Sequence, residues 1–82
     1  MTVETMKKIL IIEDDKNLNK GLSIALDKEY EVLSVNTISE AKNFIDDADL
    51  ILLDMNLPDG DGLEIIKLAR KTSSIPIIIY CH

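Results

Sequence analysis

Short apolar runs alternate along this chain with longer stretches in which apolar residues recur at helical spacing. Ile9-Leu10-Ile11-Ile12, Leu50-Ile51-Leu52-Leu53 and Ile75 to Tyr80 are too short for helices of normal length. Their continuous, β-branched character predicts strands covered on both faces. From Leu18 the apolar positions Leu18, Leu22, Ala25 and Leu26 follow one helical face, with Asp15 placed to cap the first turn, and predict a helix ending near Lys28. Tyr30 to Val35, interrupted by Glu31 and Ser34, predicts a strand at a sheet edge. Thr37 and Glu40 have capping-box spacing, and Ala41, Phe44, Ile45 and Ala48 continue one face of a second helix. Asp61 and Glu64 repeat that signal ahead of Leu63, Ile66 and Ala69 or Arg70, and Ser73-Ser74 ends the third helix. Pro76 lies near the start of the last strand, where a missing N–H is tolerated.

The predicted order is therefore strand-helix-strand-helix-strand-helix-strand. Long crossovers between short buried strands give an α/β domain with a parallel sheet. No repeat, linker or low-complexity tract divides the chain.

The polar residues at the strand ends then sharpen the picture. Glu13, Asp14 and Asp15 close the first strand, and Asp54 closes the third. Ligands of open parallel sheets bind at the C-terminal ends of the strands, where the connections switch direction. Neighbouring strands lie about 4.8 Å apart, so if the first and third are neighbours, Asp14 and Asp54 come within reach of one ion. Clustered carboxylates repel one another unless a cation compensates. An all-oxygen set without His or Cys favours Mg²⁺, which typically takes one or two carboxylates together with water and phosphate oxygens. A carboxylate is also a competent nucleophile toward phosphorus, so the constellation suits phosphoryl transfer.

Composition narrows the alternatives. The 82 residues carry a formal charge of −6 with no cluster of Lys and Arg, which argues against direct nucleic-acid binding. The lone Cys81 has no internal disulfide partner, and the N-terminus lacks a signal-peptide layout, so a cytoplasmic setting is expected. No apolar run approaches the roughly 20 residues of a membrane span. Residues 1–6 are polar and unpatterned up to the second methionine, Met6, and read as an N-terminal extension to a domain over 7–82.

Three blocks in order, Lys8-Ile9-Leu10-Ile11-Ile12-Glu13-Asp14-Asp15, Leu52-Leu53-Asp54-Met55-Asn56-Leu57-Pro58-Asp59-Gly60-Asp61-Gly62-Leu63 and Ile75-Pro76-Ile77-Ile78-Ile79, resemble the response-regulator receiver domain of two-component signalling. The resemblance covers Lys7 to about Cys81. It implies a flavodoxin-like sheet with strand order 2-1-3-4 over these segments. It makes Asp54 the phosphoacceptor, Asp14 the principal Mg²⁺ ligand, Glu13 a ligand acting largely through water, and Asn56 a ligand through its backbone carbonyl. Asp15 is read as a helix cap, and Gly62 as the opening of the third helix, where the backbone turns tightly. The implied phosphodonor is a histidine kinase.

The chain also departs from the family. The usual Ser or Thr at the end of the fourth strand falls on Cys81, whose thiol is a weaker donor. The sequence ends at His82, before the fourth helix, fifth strand and fifth helix of a complete receiver, and before that strand's Lys. The apolar fourth strand then becomes an open edge, and a homodimer through it is expected. A different class of reading follows, a self-associating interaction or assembly module without phosphotransfer. An aspartyl phosphatase is disfavoured because Asn56 stands where its second acid belongs. Asp59 and Asp61 are read as turn and cap residues. Cys81 and His82 point to opposite faces of a strand and form no thiol–imidazole pair.

Overall fold

The structure is a computed structural model describing residues 6–81. Four parallel strands, β1 (Lys8–Ile12), β2 (Glu31–Val35), β3 (Leu50–Asp54) and β4 (Ile77–Tyr80), form one sheet in the order β2-β1-β3-β4. The implied topology is met, and β2 is an edge strand as its mixed polarity predicts. After β2 the chain returns past β1 to build β3 on its other side. The C-terminal ends of β1 and β3 therefore flank the switch point.

Three helices connect the strands. Helix α1 (Lys16–Leu26) begins earlier than the apolar stripe suggests, because the Asp15 carboxylate accepts from the N–H groups of Asn17 and Leu18. The second connection is the largest correction. Helix α2 (Ile38–Ala41) is a single turn, followed by a turn and a short 3-10 segment, Ile45–Asp47. Phe44, Ile45 and Ala48 keep an apolar rhythm without continuing one helix. Helix α3 (Leu63–Thr72) buries Ile65 and Ala69, whereas Leu63 is 48% exposed, so its inner face is rotated from the predicted one.

Leu10, Ile12, Val35, Ile51 and Leu53 face α2, the 3-10 segment and α3, where they pack with Ile38, Ala41, Ile45, Leu57, Ile65 and Ala69. Full burial of each large aliphatic side chain there contributes about 1.5–3 kcal/mol. Ile9 and Ile11 alternate to the opposite face, which α1 covers over β1 and β2. That cover is thin. Ile24 and Ala25 are exposed, Leu52 is half-buried, and Ile78 beside it on β4 is 52% exposed; Ile79, in register with Leu53 on the other face, is 50% exposed. The outer edge of β4 pairs with no strand among the described residues.

Gly62 does not make the tight turn that its position suggests. Its φ of −58° is ordinary helical backbone, and an added Cβ would sit 2.7 Å from the Sδ of Met55. Here α3 approaches the residue after β3 closely, and a shift of the flexible Met55 side chain would relieve the contact.

Candidate functional site

Parallel register brings the acids together. Ile12 of β1 pairs with Leu53 of β3, which sets Glu13 and Asp54 side by side at the next position. Carboxylate oxygens of Glu13, Asp14 and Asp54 all lie within 4.8 Å of one another. Glu13 and Asp54 are fully buried, and Asp14 is half-buried with its Oδ1 shielded and without a hydrogen-bond partner. Burial disfavours the ionised form of Glu13 and, with the adjoining Asp54 carboxylate, raises its pKa; hydrogen bonds from Asp15 and Tyr80 oppose that shift.

Glu13 is fixed from several sides. Its Oε2 accepts from the Asp15 N–H at 3.0 Å, and its Oε1 accepts from the Tyr80 hydroxyl at 2.7 Å. Its backbone carbonyl accepts from Nδ2 of Asn19 at 3.1 Å and Nδ2 of Asn36 at 3.0 Å. The same Asn19 amide donates to the Val35 carbonyl at 2.9 Å, tying the ends of β1 and β2. Asp54 Oδ1 accepts from the Asn56 N–H at 2.9 Å, so the acid tucks the following loop against its own strand.

Asn56 lies exposed in that loop, beside the cluster, while Cys81 is an exposed free thiol just past β4. His82 lies outside the described residues, and with it the expected lack of a Cys81–His82 pair. Asp59 is more than a turn residue: its carboxylate accepts from the N–H groups of Ile38 and Ser39 and so caps α2 from across the chain. Asp61 accepts from the Leu63 N–H two positions on, a turn of its own just ahead of α3, while the cap position itself falls on Gly62, which has no side chain to cap with.

The pattern of apolar and acidic positions missed Asn19, Asn36 and Tyr80. Asn19 is 4% exposed on the inner side of α1, and an isolated polar residue there carries no signal until its partners are known. Tyr80 reads as one more apolar strand residue. Its signal is its place, in register with Asp54.

The donor set fits a hard divalent cation. It is all oxygen, contains no His or Cys, and includes a shielded carboxylate oxygen on Asp14 that has no hydrogen-bond partner among the described residues. Mutual repulsion of three acids so close together would be relieved by positive charge among them.

Comparison with known proteins agrees with this geometry. A family model described as the response regulator receiver domain matches residues 9–82. The transcriptional regulatory protein VxrB of Vibrio cholerae is 42% identical over 72 residues, covering 87% of this chain and 29% of that protein. The chain thus spans under a third of that relative's length. Among solved structures, the non-phosphorylated HemR receiver domain of Leptospira biflexa is 34% identical with a TM-score of 0.82, covering 92% of this chain and 64% of that one. The MaeR response regulator bound to beryllium trifluoride is 30% identical with a TM-score of 0.80, covering 93% and 67%. With the parallel sheet, the acidic switch point and these matches in agreement, the chain belongs to the response regulator receiver domain family.

Proposed function

We propose that this chain is a two-component receiver module that accepts a phosphoryl group on Asp54 in a cytoplasmic setting, from the phosphohistidine of a histidine kinase. The observation that carries this reading is the convergence of Glu13, Asp14 and Asp54, from two strand ends, within 4.8 Å. The receiver likeness to MaeR, solved with beryllium trifluoride, supports it.

Asp14 and Asp54 would hold Mg²⁺ directly, Glu13 through water, and Asn56 through its backbone carbonyl. When bound, Mg²⁺ supplies charge neutralisation to the phosphoryl oxygens. An Asp54 carboxylate oxygen forms the new P–O bond as the P–N bond of phosphohistidine breaks. The bonding electron pair leaves on the imidazole nitrogen, which takes a proton from water. Asn56 keeps the carboxylate in place, its N–H donating to Oδ1. Cys81, at the usual Ser or Thr position, offers only a weak donor to the product. Incubation with Mg²⁺ and acetyl phosphate tests the reading: one phosphoryl mass should be added, and Asp54→Asn should abolish it.

A second reading has its own observation. The β4 edge is unpaired among the described residues and exposes Ile78 and Ile79 to about half their surface, a template for a second copy. In this reading the chain is a self-associating module. Failure to take up phosphate, combined with concentration-dependent dimerisation, would favour it over phosphotransfer.

A further inference from the structure

We propose that Tyr80 is a positioning residue that sets the ion selectivity of the acidic site, its hydroxyl pinning Glu13 so that this carboxylate serves a divalent cation through water and not as a direct two-oxygen ligand. The inference rests on reading the site as a Mg²⁺ centre.

Tyr80 stands on β4 and Glu13 follows β1, with β3 between them. Its backbone is in register with Asp54, and its carbonyl accepts from the Met55 N–H at 3.0 Å. The ring is therefore anchored beside the acceptor acid while its hydroxyl reaches Glu13 Oε1 at 2.7 Å. Strands two apart are separated by about 9.6 Å, a span that the length of a tyrosine suits and that of a serine, threonine or cysteine does not.

Both side-chain oxygens of Glu13 are thereby engaged, Oε1 by Tyr80 and Oε2 by the Asp15 N–H. Two-oxygen coordination requires both to turn toward the ion. Ca²⁺ gathers six to eight oxygens and commonly uses carboxylates in this way, whereas Mg²⁺ keeps several waters and needs few direct carboxylates. A Glu13 held by Tyr80 withholds the ligand that Ca²⁺ would gain and leaves Mg²⁺ with Asp14, Asp54 and its own water. Hydrogen bonds of this kind, to the ligands of a metal site, typically govern affinity by 10- to 100-fold.

The test is calorimetric titration of the 82-residue chain with MgCl₂ and with CaCl₂, on wild type, Tyr80→Phe, Glu13→Gln and the double variant, with circular dichroism to confirm folding. Tyr80→Phe keeps the ring and should raise the ratio of Ca²⁺ to Mg²⁺ affinity about tenfold. In the Glu13→Gln background the same change should move the ratio no further, because the two residues act as one unit. A ratio within about twofold of wild type, or an equal shift in both backgrounds, overturns the proposal while leaving the Mg²⁺ site standing. Wild type that binds neither ion overturns both. A second measurement needs no change at Tyr80: in a Tyr30→Phe background, the ring ζ-carbon resonance of Tyr80 should keep its hydrogen-bonded position as Mg²⁺ saturates. Movement to the solvated-phenol position shows that Glu13 leaves Tyr80 for the ion, and the proposal falls.

Discussion

The carboxylate of Asp59 accepts a hydrogen bond from the backbone N–H of Ile38 at 3.0 Å, across 21 positions of sequence, and a second from Ser39 at 3.2 Å. A loop beyond β3 thus caps the helix that follows β2, beside the Thr37 hydroxyl, which accepts from the Glu40 N–H. The short α2 and the loop carrying Asn56 are held as one unit.

Replacing Asp59 with Ala should therefore loosen two segments at once, with faster amide exchange at Ile38 and Ser39 and a lower melting temperature. The Ile38 N–H is the foremost cause that lowers the Asp59 pKa. The sign follows: a depressed carboxylate contributes stability above its ordinary range and loses it as pH falls through the lowered value. Thermal melts across the acid range should show that loss in wild type and its absence in Asp59→Ala.

Asn19 is the buried amide on which the ends of β1 and β2 meet. Asn19→Ala removes one donor from each of the buried carbonyls of Glu13 and Val35, which keep the Asn36 amide and the Glu13 N–H respectively, so the loss should be about 0.5–1.5 kcal/mol per hydrogen bond. Urea unfolding should show the loss, and Mg²⁺ affinity should fall with it because one of the bonds that locate Glu13 is gone. An unchanged midpoint would show that water takes the place of the amide.

The crowding of Glu13, Asp14 and Asp54 predicts a metal-dependent melting temperature. Adding Mg²⁺ at about 100 times its Kd should stabilise the protein by about 2.7 kcal/mol. Asp54→Asn removes one of the repelling charges, so it should melt higher than wild type in chelator and respond less to Mg²⁺. Differential scanning calorimetry with and without chelator checks both signs.

Ile78 sits on β4, whose outer edge pairs with no strand among the described residues, and half its surface is exposed. Ile78→Lys should leave the fold intact, since surface changes of this kind usually move stability by less than about 0.5 kcal/mol, and should weaken any edge-to-edge association. Sedimentation velocity over a range of concentrations distinguishes a wild type that self-associates from a variant that does not.

Residues whose role depends on period or strand-end position were legible in the sequence. The apolar runs marked β1, β3 and β4, and Glu13, Asp14 and Asp54 gathered because parallel register aligns strand ends. Phe44 and Ile45 misled because a turn followed by 3-10 backbone can bury apolar residues at nearly helical spacing. Asn19, Asp59 and Tyr80 were illegible for a common reason: each acts on partners distant in the chain, and no local pattern encodes a hydrogen bond that only tertiary structure supplies.

Tyr80 and Glu13 are 67 positions apart, so their bond closes a loop spanning most of the chain. The entropy of bringing such distant segments together opposes contacts of this kind until nearer ones are made. A nascent or partly assembled chain can carry all three acids and even pair β1 with β3, yet it lacks the braced Glu13 until β4 is docked. The finished acidic pocket is in this sense a certificate that β4 has docked, and a chain that has not yet added this strand holds Glu13 without the hydroxyl that braces it.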